Sequence, residues 1–464
     1  CIEVLSQNEI EMIHRSTLSI LEKVGLKVPN EECMELCDKA GAIVDRMEEI
    51  VKVPAGLMEE VISEVSRNSN NGSLDNEIQK LKGNISPQVF IVDYKSAVRR
   101  YGQMDDVLKG IALTDTLSNL AVSNAVTVPH DVPYNMSDVL SFQAIYTYSR
   151  RPGGTYILSP TSAKYIIQMS KVMGVTSAYF LEAVSPLQFR KESLEMALVY
   201  AKQGLPLSIG PMVVGGATGP VTVAGTITLQ NAEILGSIFL TYVLNSACGF
   251  YGSYNHTMDL RTTICSFGSP NQALLGMAAA QMGRFYGLKV SSNSGLTDAI
   301  VPDFQGGFEK TVSAVLSCFA GSSGIGAQGI VGADQGISLE QLVIDNEWID
   351  AYNFILDGIE VDEDTIAAEV IRQVGIGGNF ISEEHTVEYM RKNYWPSRIF
   401  NRDPWDIRLN RGSGNALEKA YEYVESVTAN YKNMEPVIEP SKLDEINYIV
   451  RCAEEELKRE RQAD

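Results

Sequence analysis

The side chains able to do chemistry fall at regular places in this chain, in or just after short apolar runs. His130, Asp131 and Tyr134 follow run 121–128; Glu182 lies inside run 178–184, with Ser185 and Gln188 behind it. The loop Gly215, Gly216, Thr218, Gly219 follows run 206–212, and Tyr251, Tyr254, Asn255 and His256 end and follow run 247–251. Asn293, Thr297 and Asp298 come after run 288–292, and Gln328 and Asp334 sit at and beyond the end of run 324–330. This is a set of carboxylates, amides and aromatic rings, with few histidines and no cysteine. A polar, aromatic-edged pocket of net negative character suits a small cation. Each ring attracts a quaternary ammonium through its negative face by about 0.5–2 kcal/mol. Tyr251 and Tyr254, with Tyr134 or Tyr94 nearby, are the candidate rings.

Other chemistries lack their residues. Zinc would need a His/Cys cluster, and Cys33 and Cys37, one helical turn apart with no histidine beside them, read as small apolar side chains on a buried face. No metal site is expected. Serine catalysis would need a nucleophile elbow of the G-x-S-x-G type, which is absent. The glycines of 210–219 follow neither G-x-G-x-x-G nor a Walker pattern.

These residues need elements to hold them. Apolar runs at 121–128, 155–158, 178–184, 206–212, 247–251, 288–292 and 324–330 alternate with helical patterns at 137–150, 161–172, 191–203, 222–244, 271–286, 305–320 and 338–356. Seven successive strand-then-helix units predict a parallel sheet with helices outside. An eighth unit, from near Val89 or from beyond Ile359, would close a (β/α)8 barrel. That is the expected fold, an open doubly wound sheet being the alternative. The stretch 210–226 is the strand–loop–helix joint richest in glycine, with Thr222 opening a long helix.

The expected organisation is a helical extension with a hairpin at 1–110, the barrel core at 111–360, and a C-terminal helical extension at 361–464. Helical patterns in the first part are 8–24, 30–40 and 54–67, followed by a polar loop at 69–75. In the last part they are 362–373, 383–393, 415–431 and 442–461.

The 464 residues carry a formal charge of −20, which argues against a nucleic-acid partner. Seven cysteines without repeated spacing read as reduced thiols of a cytoplasmic protein. Stretch 234–252 is uncharged and about long enough to span a membrane, yet its asparagine, hydroxyls and glycines predict a buried helix passing into a strand. The chain opens on cysteine, so we expect it to begin downstream of the natural start.

Segments spread over the chain resemble the trimethylamine methyltransferase family, in the branch without pyrrolysine that holds glycine betaine and related quaternary-amine methyltransferases. They are Asp131-Val-Pro133, Ser185-Pro-Leu187, Gly215-Gly-Ala-Thr-Gly-Pro-Val-Thr-Val-Ala-Gly225, Asn231-Ala-Glu233, Thr297-Asp-Ala299, Ser338-Leu-Glu-Gln-Leu342 with Asp345, and Gly375-Ile-Gly-Gly-Asn-Phe380. His385-Thr386 and the stretch 391–395 follow in the tail.

The resemblance implies a barrel that demethylates a methylated amine and passes the methyl to cobalt(I) of a separate corrinoid protein. No cofactor is then held permanently, the cobalamin coming with that partner, and homo-oligomers are expected. Trimethylamine members carry pyrrolysine where this chain has Asn293, Ser294, Gly295, Leu296 and Thr297, with Asp298 adjoining. Without a lysine-like residue there, the implied substrate is a quaternary amine. Other methyl donors (a tertiary amine, a sulfonium) and a non-catalytic cation-binding protein are the alternatives. The stretch 291–294 is more polar than the glycine-rich run the family implies, and 324–328 lacks a histidine, so the amine itself stays open. For a substrate with a carboxylate, His130, Asn255, the 215–219 backbone and Gln328 are the candidate donors, with Tyr94, Asp131, Glu182, Tyr251 and Tyr254 completing the candidate pocket.

Overall fold

A computed structural model describes residues 2–70, 80–411 and 414–463. From residue 71 onward, the polar loop expected at 69–75 lies outside the described residues. The seven expected helices between 137 and 356 are present as Ser137–Tyr148, Pro160–Met173, Lys191–Ala201, Val223–Val243, Pro270–Phe285, Phe304–Phe319 and Leu339–Leu356. Their starts follow from side-chain caps: Ser159, Thr222, Asp303 and Ser338 each accept an N–H from the first turn.

The apolar runs form a mixed α/β fold of short strands rather than long ladders. Tyr179–Leu181 pairs parallel with Leu207–Ile209, and Phe250–Ser253 pairs parallel with Lys289–Ser292. Val214–Gly215 also pairs parallel with His256–Asp259, and Gly336–Ile337 with Phe90–Val92, while single bridges join Ser291 to Gly324, Ala327 to Asn84, Gly83 to Leu120, Gln88 to Thr127 and Ser123 to Pro152. Runs 121–128 and 324–330 therefore contribute bridges where strands were expected. The hairpin near Val89 is present, Phe90–Val92 pairing antiparallel with Arg99–Tyr101.

The N-terminal part is less purely helical than its pattern suggested. A three-stranded antiparallel sheet (Leu26–Lys27, Ile50–Lys52, Ile43–Asp45) interrupts the helices. Strands of two or three residues are too short for period-2 alternation to register. In the tail, 362–373 is two helices, Glu363–Ile366 and Ala368–Val374, because Ala367 takes a left-handed conformation with φ 54°.

Val223–Val243 is the one described helix long and apolar enough to cross a membrane, and it is largely buried in this protein. Its polar residues have partners within the fold: Glu233 accepts from the Ser185 hydroxyl (2.7 Å) and the Leu187 N–H (2.9 Å). Leu235 and Ile238 on this helix join Leu21 and Leu26 in the main core, so the N-terminal helices share one interior with the sheet. Cys33 and Cys37 lie in the same core, where burial pushes both thiols up to about 12.

One fully buried ion pair ties the ends of two parallel segments together. Lys310 donates to Asp345 (2.9 Å) and to the Gly295 carbonyl (3.2 Å), while Asp345 also accepts from the Gly329 N–H (2.7 Å) and from Gln341 (2.7 Å). Removing one partner leaves an uncompensated charge in the interior. Lys310→Met is accordingly expected to lower unfolding stability by about 3–5 kcal/mol, measured by chemical denaturation.

Candidate active site

Strand alternation decides which candidates face inward. On Phe250–Ser253, Tyr251 is fully buried, donates its hydroxyl to Asn231 (2.8 Å) and lies against Tyr286, so it faces the helices. Tyr254, three residues on, faces the opposite way. Its ring lies 6.0 Å from Phe180 and has the Ser291 hydroxyl beside it. Gly210 makes room for that ring, since a Cβ there would sit 2.0 Å from it. The two tyrosines expected on one cage are thus on two faces.

Around Tyr254 the fold gathers a group that only partly overlaps the expected set. The Tyr156 hydroxyl meets the Ser86 hydroxyl at 2.6 Å, and Gln88 donates to Asp334 at 2.9 Å. Tyr156 is 48% exposed and Glu182 and Asp334 are exposed, yet burial raises the pKa of all three. Open to water and yet desolvated is the signature of a recess: water reaches these groups, but protein surrounds them. Asp334 is pushed up to about 6 by desolvation, and the Glu182 charge adds to the rise against the opposing Gln88 hydrogen bond. Glu182 also lines an adjoining cavity of about 290 Å³ with Ser185, Arg190, Met212, Val214 and Thr218.

Backbone geometry aims Asp334. Gly332, Ala333 and Asp334 are three consecutive left-handed residues (φ 64°, 53° and 61°) between Ile330–Val331 and Gly336–Ile337. A non-glycine residue held there costs about 1–3 kcal/mol. The turn is fixed by the Gly332 N–H to Ala299 (2.7 Å) and the Ala333 N–H to Thr297 (3.0 Å).

The remaining candidates are placed as framework or rim. His130 stacks on Tyr101 at 4.7 Å and bonds the Val128 carbonyl, on the exposed edge. Tyr94 pairs with Tyr421 on the outside, and Asp131 accepts the first N–H of helix Met104–Thr114. Asn255 is buried under Gln272, and Gln328 turns outward to a small void beside Lys310 and Tyr352. In the glycine loop, the N–H groups of Ala217, Thr218 and Gly219 all bond the Val214 carbonyl, and the Gly216 N–H bonds Gly219. The N–H groups of residues 216–219 are therefore already engaged.

In the segment 293–298, only Asn293 and Asp298 are not buried. Asp298 accepts from Ser266 and the Phe267 N–H (both 2.6 Å), Thr297 donates to Glu309 (2.6 Å), Gly295 takes φ 81°, and Leu296 packs on Phe267 and Ile330. The Asn293 amide donates to His256 Nε2 (2.8 Å), which makes His256 Nδ1 the donor to Gln272 (2.8 Å). Burial depresses His256 to about 3, so it is neutral, with both ring nitrogens engaged.

Tyr156, Ser86 and Gln88 are the members that sequence reasoning missed. Run 155–158 reads as a strand in the sequence but forms neither strand nor bridge, and its four residues give too little alternation to say which one faces inward.

The Asp334 shift has a sign. Its folded pKa is raised above the unfolded value of 3.8, so the folded state is penalised increasingly from pH 3.8 to about 6, and by a constant amount above that. Asp334→Asn should raise the melting temperature at pH 7.5. Affinity for a small cation, read by calorimetry, should rise with pH through about 6 in the parent and be flatter in this variant.

The chain matches the trimethylamine methyltransferase (MTTB) family over residues 1–457. It is 27% identical over 443 residues to the trimethylamine methyltransferase MttB of Desulfitobacterium hafniense, covering 92% of this chain and 89% of that protein. It is 25% identical over 459 residues to the glycine betaine methyltransferase of the same species, covering 94% of each. Among solved structures, the Methanosarcina barkeri monomethylamine methyltransferase MtmB aligns with a TM-score of 0.41 at 11% identity, covering 93% of this chain and 94% of that one. A family match over nearly the full length, with relatives aligned end to end, places this chain in the trimethylamine methyltransferase (MTTB) family.

Proposed function

We propose that the protein demethylates a quaternary amine and passes the methyl group to cobalt(I) of a corrinoid carried by a separate protein. The observation that carries this reading is the recess of Tyr156, Tyr254, Glu182 and Asp334: two rings and two carboxylates, desolvated yet open to water. The rings and carboxylates attract the cation, and the opening admits an acceptor borne by another molecule. The cobalt supplies a two-electron nucleophile for the methyl carbon, while the C–N electron pair leaves on nitrogen. A quaternary nitrogen departs as a neutral tertiary amine, so no proton donor is required of the protein. Neutral His256, held at both nitrogens, is consistent with that. The protein's own part is to orient the methyl group and exclude water.

Losing the positive charge has consequences for Asp334. With the cation bound, its carboxylate is compensated. Once the amine is neutral, the carboxylate is again desolvated and unpaired. The attraction therefore weakens along the reaction, which limits rate enhancement but favours product release.

The architecture in this reading is a (β/α)8 barrel. Eight segments, 83–88, 120–127, 152–157, 179–181, 207–209, 250–253, 289–292 and 324–328, follow one another, and the bridge from Ala327 to Asn84 returns the last to the first. The first segment comes from before residue 111, so the extensions are 1–82 and the part after about 360.

Self-association belongs to the same reading. No residue from 354 to 398 is buried, and Ile359, Val361, Ile376 and Ile381 are 70–109% exposed. Such a segment gains little from folding alone and needs a constant partner. It leaves helix Leu339–Leu356 at the end remote from Asp334, away from where a methyl acceptor must approach. A second copy of the chain is the partner that meets both conditions. Light scattering should find an oligomer, and Ile359→Asp combined with Ile381→Asp should reduce it to monomer with the melting transition retained.

The function is tested by following methylation of free cob(I)alamin with glycine betaine, proline betaine, carnitine, butyrobetaine and choline. At least one should transfer its methyl, and transfer from none would overturn the proposal, binding without transfer indicating a cation receptor. Tyr156→Leu and Tyr254→Leu should each weaken the active substrate by about 0.5–2 kcal/mol, read as a rise in KM.

A further inference from the structure

Of the groups expected to meet a substrate carboxylate, only the glycine loop reaches the 290 Å³ cavity, through Thr218. His130 is on the rim, Asn255 is buried under Gln272, Gln328 faces away, and the N–H groups of residues 216–219 are used within their own loop. One cationic side chain does line the 290 Å³ cavity: Arg190.

Arg190 and Glu182 line the same cavity and act on each other electrostatically, the guanidinium opposing the rise that burial imposes on the carboxyl. They do not meet: among the described residues, Glu182 and Arg190 form no ion pair or side-chain hydrogen bond with each other or with another group. Both side chains remain in the lining of the one cavity. Glu182 is also the group whose charge reaches Asp334 and Tyr156, so the negative, aromatic end and the positive end form one polarised space. Arg190 stands at the start of helix Lys191–Ala201, whose positive end reinforces its sign.

We infer that Arg190 is a specificity-determining residue: it receives an anionic group at the far end of the substrate while the methylated ammonium lies against Glu182, Asp334 and the rings. The substrate class is then a trimethylammonium carboxylate rather than a trimethylammonium alcohol or amide. The inference rests on the quaternary-amine reading of the site and narrows it. It also explains why two carboxylates are compatible with the reaction. A zwitterion brings no net charge, so the recess is not required to hold a permanently compensating cation, and Arg190 keeps the ligand anchored after the nitrogen becomes neutral.

The test uses the whole chain and matched probes: glycine betaine, carnitine and butyrobetaine, each against its primary amide, with binding read by calorimetry and transfer by cob(I)alamin methylation. For the acid that binds best, the parent protein should prefer acid over amide by at least about tenfold. Arg190→Met should erase that preference by weakening the acid while leaving the amide within about twofold, and Arg190→Lys should restore part of it. A melting curve for each variant checks folding. Equal binding of acid and amide by the parent, or an Arg190→Met variant that weakens both equally, would overturn the inference while leaving quaternary-amine transfer standing. Absence of binding and transfer with every probe would remove both.

Discussion

Two carboxylates in a recess without a contacting cation constrain everything else about this site. Burial works against their charge: Asp334 rises to about 6 and Glu182 also rises. Each stays available only because one side is left open to water and Gln88 holds Asp334 by a single hydrogen bond. A fold that let Lys or Arg reach them would remove the penalty and, with it, the reason to attract a cation. The left-handed turn at 332–334 keeps Asp334 aimed inward at a local conformational cost that surrounding hydrogen bonds sustain.

The cations that might have quenched this space are kept elsewhere by the same framework. Lys310, close to Gly295, is held behind the strand ends by Asp345. Asp298 and Glu309 spend their oxygens on Ser266, Phe267 and Thr297. His256 is fixed neutral between Asn293 and Gln272. Segment 293–298 is thus mostly buried and held by hydrogen bonds, with the Asn293 amide, set by His256, partly exposed. A segment held in this way suits a reaction in which the protein aims a carbon and moves no proton.

In the proposed reaction, polarity across the recess, negative at Asp334 and Glu182 and positive at Arg190, would tie substrate choice to chemistry. A substrate whose positive charge vanishes during reaction loses its hold on the carboxylates at that moment. An anchor at the other end does not change with the reaction coordinate, so it contributes to binding evenly before and after methyl loss.

The sequence by itself determined the helices, their order and their caps, because 3.6-residue periodicity and residues such as Ser159, Thr222, Asp303 and Ser338 act over one or two turns. It also determined family membership, since the matching segments are local strings, and it placed Glu182 and Asp334 at strand ends. What it did not determine was facing and free valence. Whether Tyr251 or Tyr254 turns inward depends on strand phase, which runs of four residues define too weakly. Whether the glycine-loop N–H groups are free depends on how the loop closes on Val214, and whether Gln328 points in or out depends on Lys310 and Tyr352 from distant helices. Tertiary structure decided these because each is settled by partners far away in the chain, and the same is true of the cavity that Glu182 and Arg190 share with Met212 and Thr218.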